Sequence, residues 1–156
     1  MTTRAGFVAL IGEPNAGKST LLNKMVGAKV SIVTHKVQTN RAMVAAAWGG
    51  AADADVVVLL IEAHRGLTEG VERILEGLGD IGKGRKVALA INKIDRVEAP
   101  VLLGLSQSLN ARYDFSETFM ISAERGHGVD ALRQWLAGQL PEGPWLYPED
   151  QIADLP

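Results

Sequence analysis

The chain contains no cysteine among its 156 residues. That excludes a disulfide framework and any thiolate chemistry, and it is compatible with a reducing cytoplasm. Aromatic residues are scarce, at 5 %. Such a composition fits helices packed closely on a sheet and argues against an all-β sandwich. Long apolar runs are missing too. The strongest, Val56–Ile61, is far shorter than the roughly 20 residues needed to span a bilayer. Met1–Gly6 has one arginine and no apolar run, so it does not read as a signal peptide. Positive charge is not in excess either: 16 Lys and Arg face 18 Asp and Glu, for a net charge of -2. A domain that grips nucleic acid by itself is normally basic, so any such partner should be held mainly elsewhere. The three histidines, His35, His64 and His127, lie far apart and lack the spacing of metal ligands.

What is present is a chain long enough for one domain with one hydrophobic core. Phe7–Ile11, Val56–Ile61 and Lys86–Ile91 read as strands buried on both faces, because their apolar runs are nearly continuous. Thr118–Ile121 reads as a fourth, short strand. Helices are predicted over Lys18–Val26, stopped by Gly27, over Ala42–Trp48, over Thr68–Leu78 with Thr68 as N-cap, and over Leu102–Arg112. Val129, Leu132, Leu136 and Leu140 mark a last helix by their spacing. Lys29–Arg41 reads as mostly loop. Trp145–Pro156, behind Pro141 and Pro144, reads as a linker or tail. Strands alternating with helices predict an α/β fold: a mostly parallel sheet with helices on both faces, in three layers. Ligands of such sheets sit at the carboxyl ends of the strands.

Gly12-Glu-Pro-Asn-Ala-Gly17-Lys18-Ser19 matches G-x-x-x-x-G-K-[ST] in full and lies between a predicted strand and a predicted helix. The glycines let the backbone wrap a phosphate with its N–H groups inward, at a helix N-terminus that adds positive potential. Gly12, Asn15, Ala16, Gly17, Lys18, Ser19 and Thr20 are the expected phosphate-binding set. Lys18 should reach the β- and γ-phosphates, and Ser19 should ligate Mg²⁺. Asn92-Lys93-Ile94-Asp95 follows the third strand and selects the base. The Asp95 carboxylate can accept hydrogen bonds from guanine N1–H and N2–H₂, a donor pair that adenine lacks. Asn92 should orient the loop and meet the base edge, and the Lys93 stem should lie over the ring. Ser122-Ala123, after the fourth strand, resembles the last motif of GTPases, in which a backbone N–H meets guanine O6.

These motifs, in this order, resemble the translation-type GTPases of the Era and tRNA-modification group. Gly12–Thr20 followed by Leu21-Leu-Asn23 carries the likeness. So do Val30-Ser-Ile-Val-Thr-His-Lys-Val-Gln-Thr39, similar to the first switch of Era, Ala47-Trp48, and Tyr147-Pro-Glu-Asp150. The last of these favours Era over the tRNA-modification GTPases. The resemblance implies the P-loop NTPase fold and slow hydrolysis of GTP to GDP and phosphate. It implies a role in 16S rRNA processing and 30S subunit assembly, in the cytoplasm with some peripheral association at the inner membrane. It further implies that Thr39 supplies a hydroxyl or carbonyl to Mg²⁺ and joins Lys18 in stabilising the transferring phosphoryl. An Asn at the place of Asn15 helps some relatives hold K⁺. Residues 1–140 correspond to the GTP-binding domain, and 141–156 to a linker toward a KH RNA-binding domain that lies outside this sequence.

The chain departs from this group in one respect that bears on chemistry. It contains no D-x-x-G sequence, the motif whose Asp helps hold Mg²⁺ and whose Gly senses the γ-phosphate. Asp53 and Asp55 precede a strand instead of following one, and read as a turn. The group places two strands and the second switch between Thr39 and the helix at Ala42–Trp48. The pattern is that of a chain lacking an internal stretch, joined around Asn40 and Arg41. Two other readings are a P-loop kinase or ATPase, against which Asn92 and Asp95 argue, and a nucleotide-binding scaffold with little hydrolysis.

Overall fold

The computed structural model of the chain describes residues 7–13, 16–25, 31–36, 55–81, 84–139 and 153–155. Six strands form one sheet: β1 (Phe7–Gly12), β2 (Ser31–Lys36), β3 (Val56–Glu62), β4 (Lys86–Asn92), β5 (Glu117–Met120) and β6 (Ala153–Leu155). Their order is β5-β4-β3-β1-β2-β6, and each neighbouring pair is parallel. Four α-helices are described: α1 (Lys18–Met25), α2 (Glu69–Ile81), α3 (Ala99–Arg112) and α4 (Val129–Gln139). The fold is the expected three-layer α/β arrangement.

The continuous apolar runs explain the layers. Successive side chains of a strand point to opposite faces. Val8, Leu10, Val56, Val58, Leu60, Ala88 and Ala90 therefore pack one way, under Leu21, Leu22 and Met25 of α1 and Val129, Leu132 and Leu136 of α4. Ala9, Ile11, Val57, Leu59, Ile61, Leu89 and Ile91 pack the other way, under Val71, Ile74, Leu75 and Leu78 of α2 and Leu109 of α3. All seven residues of β3 are buried, as a central strand covered on both faces must be.

Two expectations are corrected. Residues 31–36, read as loop, form β2 beside β1. Ile32, Val33 and Thr34 are β-branched and suit a pleated strand, while the flanking Ser31, His35 and Lys36 hide the run from an apolar count. Residues 153–155, read as tail, form the edge strand β6 beside β2. Smaller shifts concern helix ends. α3 starts at Ala99, with proline in its first turn, where the missing N–H costs nothing. α2 extends to Ile81. The helix predicted at 42–48, the stop at Gly27, Leu140 and the linker at 141–152 lie outside the described residues.

Register brings the motif-bearing strand ends together. Gly12 of β1 lies opposite Leu60 of β3, and Glu62, the last residue of β3, lies opposite Asn92, the last of β4. The carboxyl ends of three central strands thus form one rim, where open parallel sheets place their ligands.

Candidate nucleotide site

The phosphate loop leaves β1 at Gly12 and enters α1 at Lys18. Its first turn closes with Ala16 N–H donating to Glu13 C=O at 3.0 Å. Two glycines are required by space. A Cβ on Gly12 would stand 2.6 Å from the Leu60 carbonyl oxygen, and one on Gly17 would stand 2.3 Å from Asn92 Nδ2. Gly17 also has φ +99°, which side-chain-bearing residues rarely adopt. Lys18 is buried, and its ammonium donates to the Gly12 carbonyl at 3.2 Å. That bond folds the charge back into the loop. No acidic residue occupies the first turn of α1, so no carboxylate competes there for the positive end of the helix. Ser19 and Thr20 are exposed on that turn. Asn15 and Thr39 lie outside the described residues.

The base-reading loop is joined to the phosphate loop by one buried side chain. Asn92, 2 % exposed, donates from Nδ2 to the Ala16 carbonyl at 2.9 Å and accepts on Oδ1 from the Ala123 N–H at 2.9 Å. A single amide therefore ties together all three motifs, which are 76 and 31 residues from it in sequence. This geometry holds the two loops against each other through Asn92. It also commits the Ala123 N–H to Asn92, so the backbone donor expected to face guanine O6 is here part of the tie. Ser122 is buried, and its N–H donates to the His127 carbonyl at 3.0 Å, closing the loop that follows β5.

Lys93 has φ 62° and ψ 39°, the left-handed region, and is the one non-glycine residue with positive φ among the described residues. The turn it makes leads into a short 3₁₀ segment, Ile94–Arg96, that carries Asp95. Asp95 keeps a partly exposed carboxylate, with Arg125 Nε 3.6 Å from Oδ2. Partial desolvation pushes its pKa up. A backbone N–H bond at Asp95 itself, the Ser122 hydroxyl, and the nearby Arg125 and Arg96 outweigh that, so the group lies below the ordinary carboxylate value. An acceptor that stays charged suits recognition of a donor pair.

Sequence reading missed Glu62. It ends the apolar run of β3, is 7 % exposed, and bonds Lys93 Nζ through Oε1 at 2.8 Å. His64 Nε2 and Arg65 Nε lie 3.5 and 3.9 Å from its other oxygen. An acid closing a six-residue apolar run, at the end of a strand adjacent to that of Asn92, was the available signal. Sequence reading also missed Glu13, whose Oε1 accepts from the Thr68 hydroxyl at 2.5 Å. Thr68 is the expected N-cap of α2, accepting from Val71 N–H at 3.2 Å.

A glycine-bounded loop between a parallel strand and a helix, tied at the sheet rim to a second loop bearing a carboxylate held below its ordinary pKa, defines a class: the molecule has the P-loop GTPase fold. Comparison with known proteins makes the likeness particular. The family described as 50S ribosome-binding GTPase matches residues 7–49, and over nearly its whole length the chain resembles the GTPase Era. The Era protein of Dinoroseobacter shibae is 62 % identical over 186 positions, which take in 99 % of this chain and 60 % of that protein. Era of Aquifex aeolicus bound to GDP and tetrafluoroaluminate superposes with a TM-score of 0.78 at 30 % identity, covering 98 % of this chain and 62 % of that one. A complex of Era with Mg-GDPNP and nucleotides 1506–1542 of 16S ribosomal RNA gives 0.80 at 30 % identity, over 99 % and 63 %. The chain thus spans about 60 % of the length of such relatives. The first alignment runs over 186 positions against a chain of 156 residues, so at least 30 positions of that relative have no counterpart here.

Proposed function

We propose that this chain is the guanine-nucleotide-binding domain of a GTP-hydrolysing switch protein that acts in 16S rRNA processing and 30S subunit assembly. The observation that carries the nucleotide reading is the Asn92 tie, which holds the phosphate loop and the Asp95 loop in one fixed relation. The RNA reading rests on likeness to Era, one structure of which holds a 16S rRNA segment. It belongs mainly to a KH domain toward which residues 141–156 are proposed to act as linker.

The chemistry asked of these residues is positioning and charge stabilisation. Lys18 leaves the Gly12 carbonyl for the β- and γ-phosphates. The loop N–H groups and the N-terminus of α1 surround the same oxygens. Mg²⁺, when bound, would supply further charge neutralisation there. Ser19, exposed on the first turn of α1, fits as one of its ligands, and Thr39 is proposed as another. Asp95 accepts from guanine N1–H and N2–H₂, while the Ala123 N–H would have to leave Asn92 Oδ1 to meet O6. The proposed reaction is GTP and water to GDP and phosphate.

Titration with fluorescent mant-GDP and mant-ADP tests the assignment, the expected result being a clear preference for the guanine nucleotide. Asp95→Asn should weaken GDP by roughly 10- to 100-fold, the worth of hydrogen bonds to a charged acceptor, and shift preference toward xanthosine diphosphate. Equal binding of GDP and ADP, or unchanged selectivity in the variant, would refute it. The absence of D-x-x-G favours a second reading, a nucleotide-binding scaffold with little hydrolysis. Two finer features follow from the likeness alone. Asn15 joins in holding K⁺, checked by comparing hydrolysis in potassium and sodium salts. Peripheral association with the inner membrane is checked by flotation with anionic vesicles; among the described residues no helix is long and apolar enough to cross a membrane.

A further inference from the structure

We infer that Glu62 is a positioning residue for base recognition, acting by holding the ammonium of Lys93 aside so that the stem of Lys93 is fixed as a platform for the purine ring. The inference rests on the guanine-nucleotide reading above. It starts from two costs that the fold carries at one place. Glu62 is a carboxylate almost wholly out of water, which is unfavourable without a partner. Lys93 holds a left-handed backbone conformation, which is unfavourable for a residue with a side chain. The two meet in the 2.8 Å contact between Glu62 Oε1 and Lys93 Nζ.

Geometry limits what this contact can be for. Glu62 and Asn92 are register partners at the ends of adjacent strands, and Ala63 N–H donates to the Asn92 carbonyl at 2.8 Å. The backbone around Lys93 is therefore already fixed on one side by β3. On the other side, Ile94 N–H donates to the Ile121 carbonyl at 3.3 Å. The ion pair is not needed to join these strands. What it adds is a fixed far end for a long, otherwise rotamer-rich side chain. Cα and Nζ of Lys93 are then both anchored, with the four methylenes strung between them. An apolar stem with its charge led away can cover the face of a purine. Ordering it before the ligand arrives removes that entropic cost from binding.

The consequence is selective. Losing the tether should weaken any nucleotide whose base stacks on the stem, whatever its exocyclic groups, and should leave phosphate recognition alone. The experiment is calorimetric titration of the chain and its Glu62→Gln variant with GDP, inosine diphosphate and pyrophosphate. Expected is a roughly 2- to 10-fold rise in Kd for both nucleotides, the range that immobilising one long side chain spans. The ratio of GDP to inosine diphosphate should be unchanged, and so should pyrophosphate binding. Glu62→Asp, which keeps the charge, should recover part of the loss. Lys93→Met should show a loss of similar size, and adding Glu62→Gln to it should cost nothing more. Wild-type affinity in Glu62→Gln overturns the inference. So does an equal loss for pyrophosphate, or a loss that adds to that of Lys93→Met. If Glu62→Gln does not fold, the Glu62→Asp and Lys93→Met titrations decide on the same criteria. Failure of the unsubstituted chain to prefer GDP over ADP would instead sink the guanine reading itself.

Discussion

Two side chains at the rim carry separable consequences. Asn92 satisfies one buried carbonyl and one buried N–H at once. Asn92→Ala leaves both without a partner, at about 1–3 kcal/mol for each. Urea unfolding should therefore show a clear loss of stability, and the phosphate loop should lose its fixed relation to the base loop, so mant-GDP binding should fall as well. Asp95 gives a pH signature. Its carboxyl lies below the ordinary value, with Arg125 among the groups that lower it. A depressed acid stays charged above its own pKa and loses its acceptors only as pH falls through that lowered value. The preference for GDP over ADP should therefore persist at pH 5 and disappear only in stronger acid. Arg125→Gln should move the midpoint of that loss upward. A midpoint near neutrality in the unsubstituted chain, or one unmoved by Arg125→Gln, would contradict the role given to this pair.

At the scale of elements, α2 is where the phosphate loop reaches beyond its own strand and helix. The Thr68 hydroxyl accepts from Val71 N–H, capping α2, and donates to Glu13 of the loop. Thr68→Ala should cost about 0.5–2 kcal/mol as a lost N-cap, measured by chemical denaturation. It should also weaken nucleotide binding, because Glu13 then loses its anchor. A pure cap would show the first effect without the second. The elements themselves were largely legible. β1, β3 and β4 announce themselves as apolar runs because both faces are covered, and each of the three motifs sits directly behind a strand. β2 and β6 were not legible: β6 is the short edge strand and β2 lies between it and β1, and each carries polar residues that break an apolar count. Nor was the use of Asn92 and Glu62 as ties. Those bonds join residues 76 and 31 apart, and only register, which sets Glu62 opposite Asn92, brings them within reach.

At the scale of the molecule, binding and hydrolysis need not stand or fall together. The described residues supply a phosphate loop, a base loop and the tie between them, all on rigid strand ends. Ser19 and Thr39, the proposed Mg²⁺ ligands, are present, but D-x-x-G, whose Asp in P-loop GTPases helps hold Mg²⁺ and whose Gly senses the γ-phosphate, is missing, and at least 30 positions of a 62 % identical relative have no counterpart. Phosphoryl transfer depends on placing metal and water about the γ-phosphate, whereas affinity for the diphosphate and the base does not. The chain should therefore bind GDP well and hydrolyse GTP slowly. Inserting the corresponding stretch of the Dinoroseobacter shibae protein between Asn40 and Arg41 should raise single-turnover hydrolysis by at least about 100-fold, in line with the loss of ~2.7 kcal/mol or more of transition-state stabilisation. Affinity for GDP should change far less. If the insertion restores no hydrolysis while GDP still binds, the chain is a nucleotide-binding scaffold. If the chain without it already turns over as fast as the chimera, the stretch is not where the catalytic groups reside, and Lys18 with the phosphate loop must suffice.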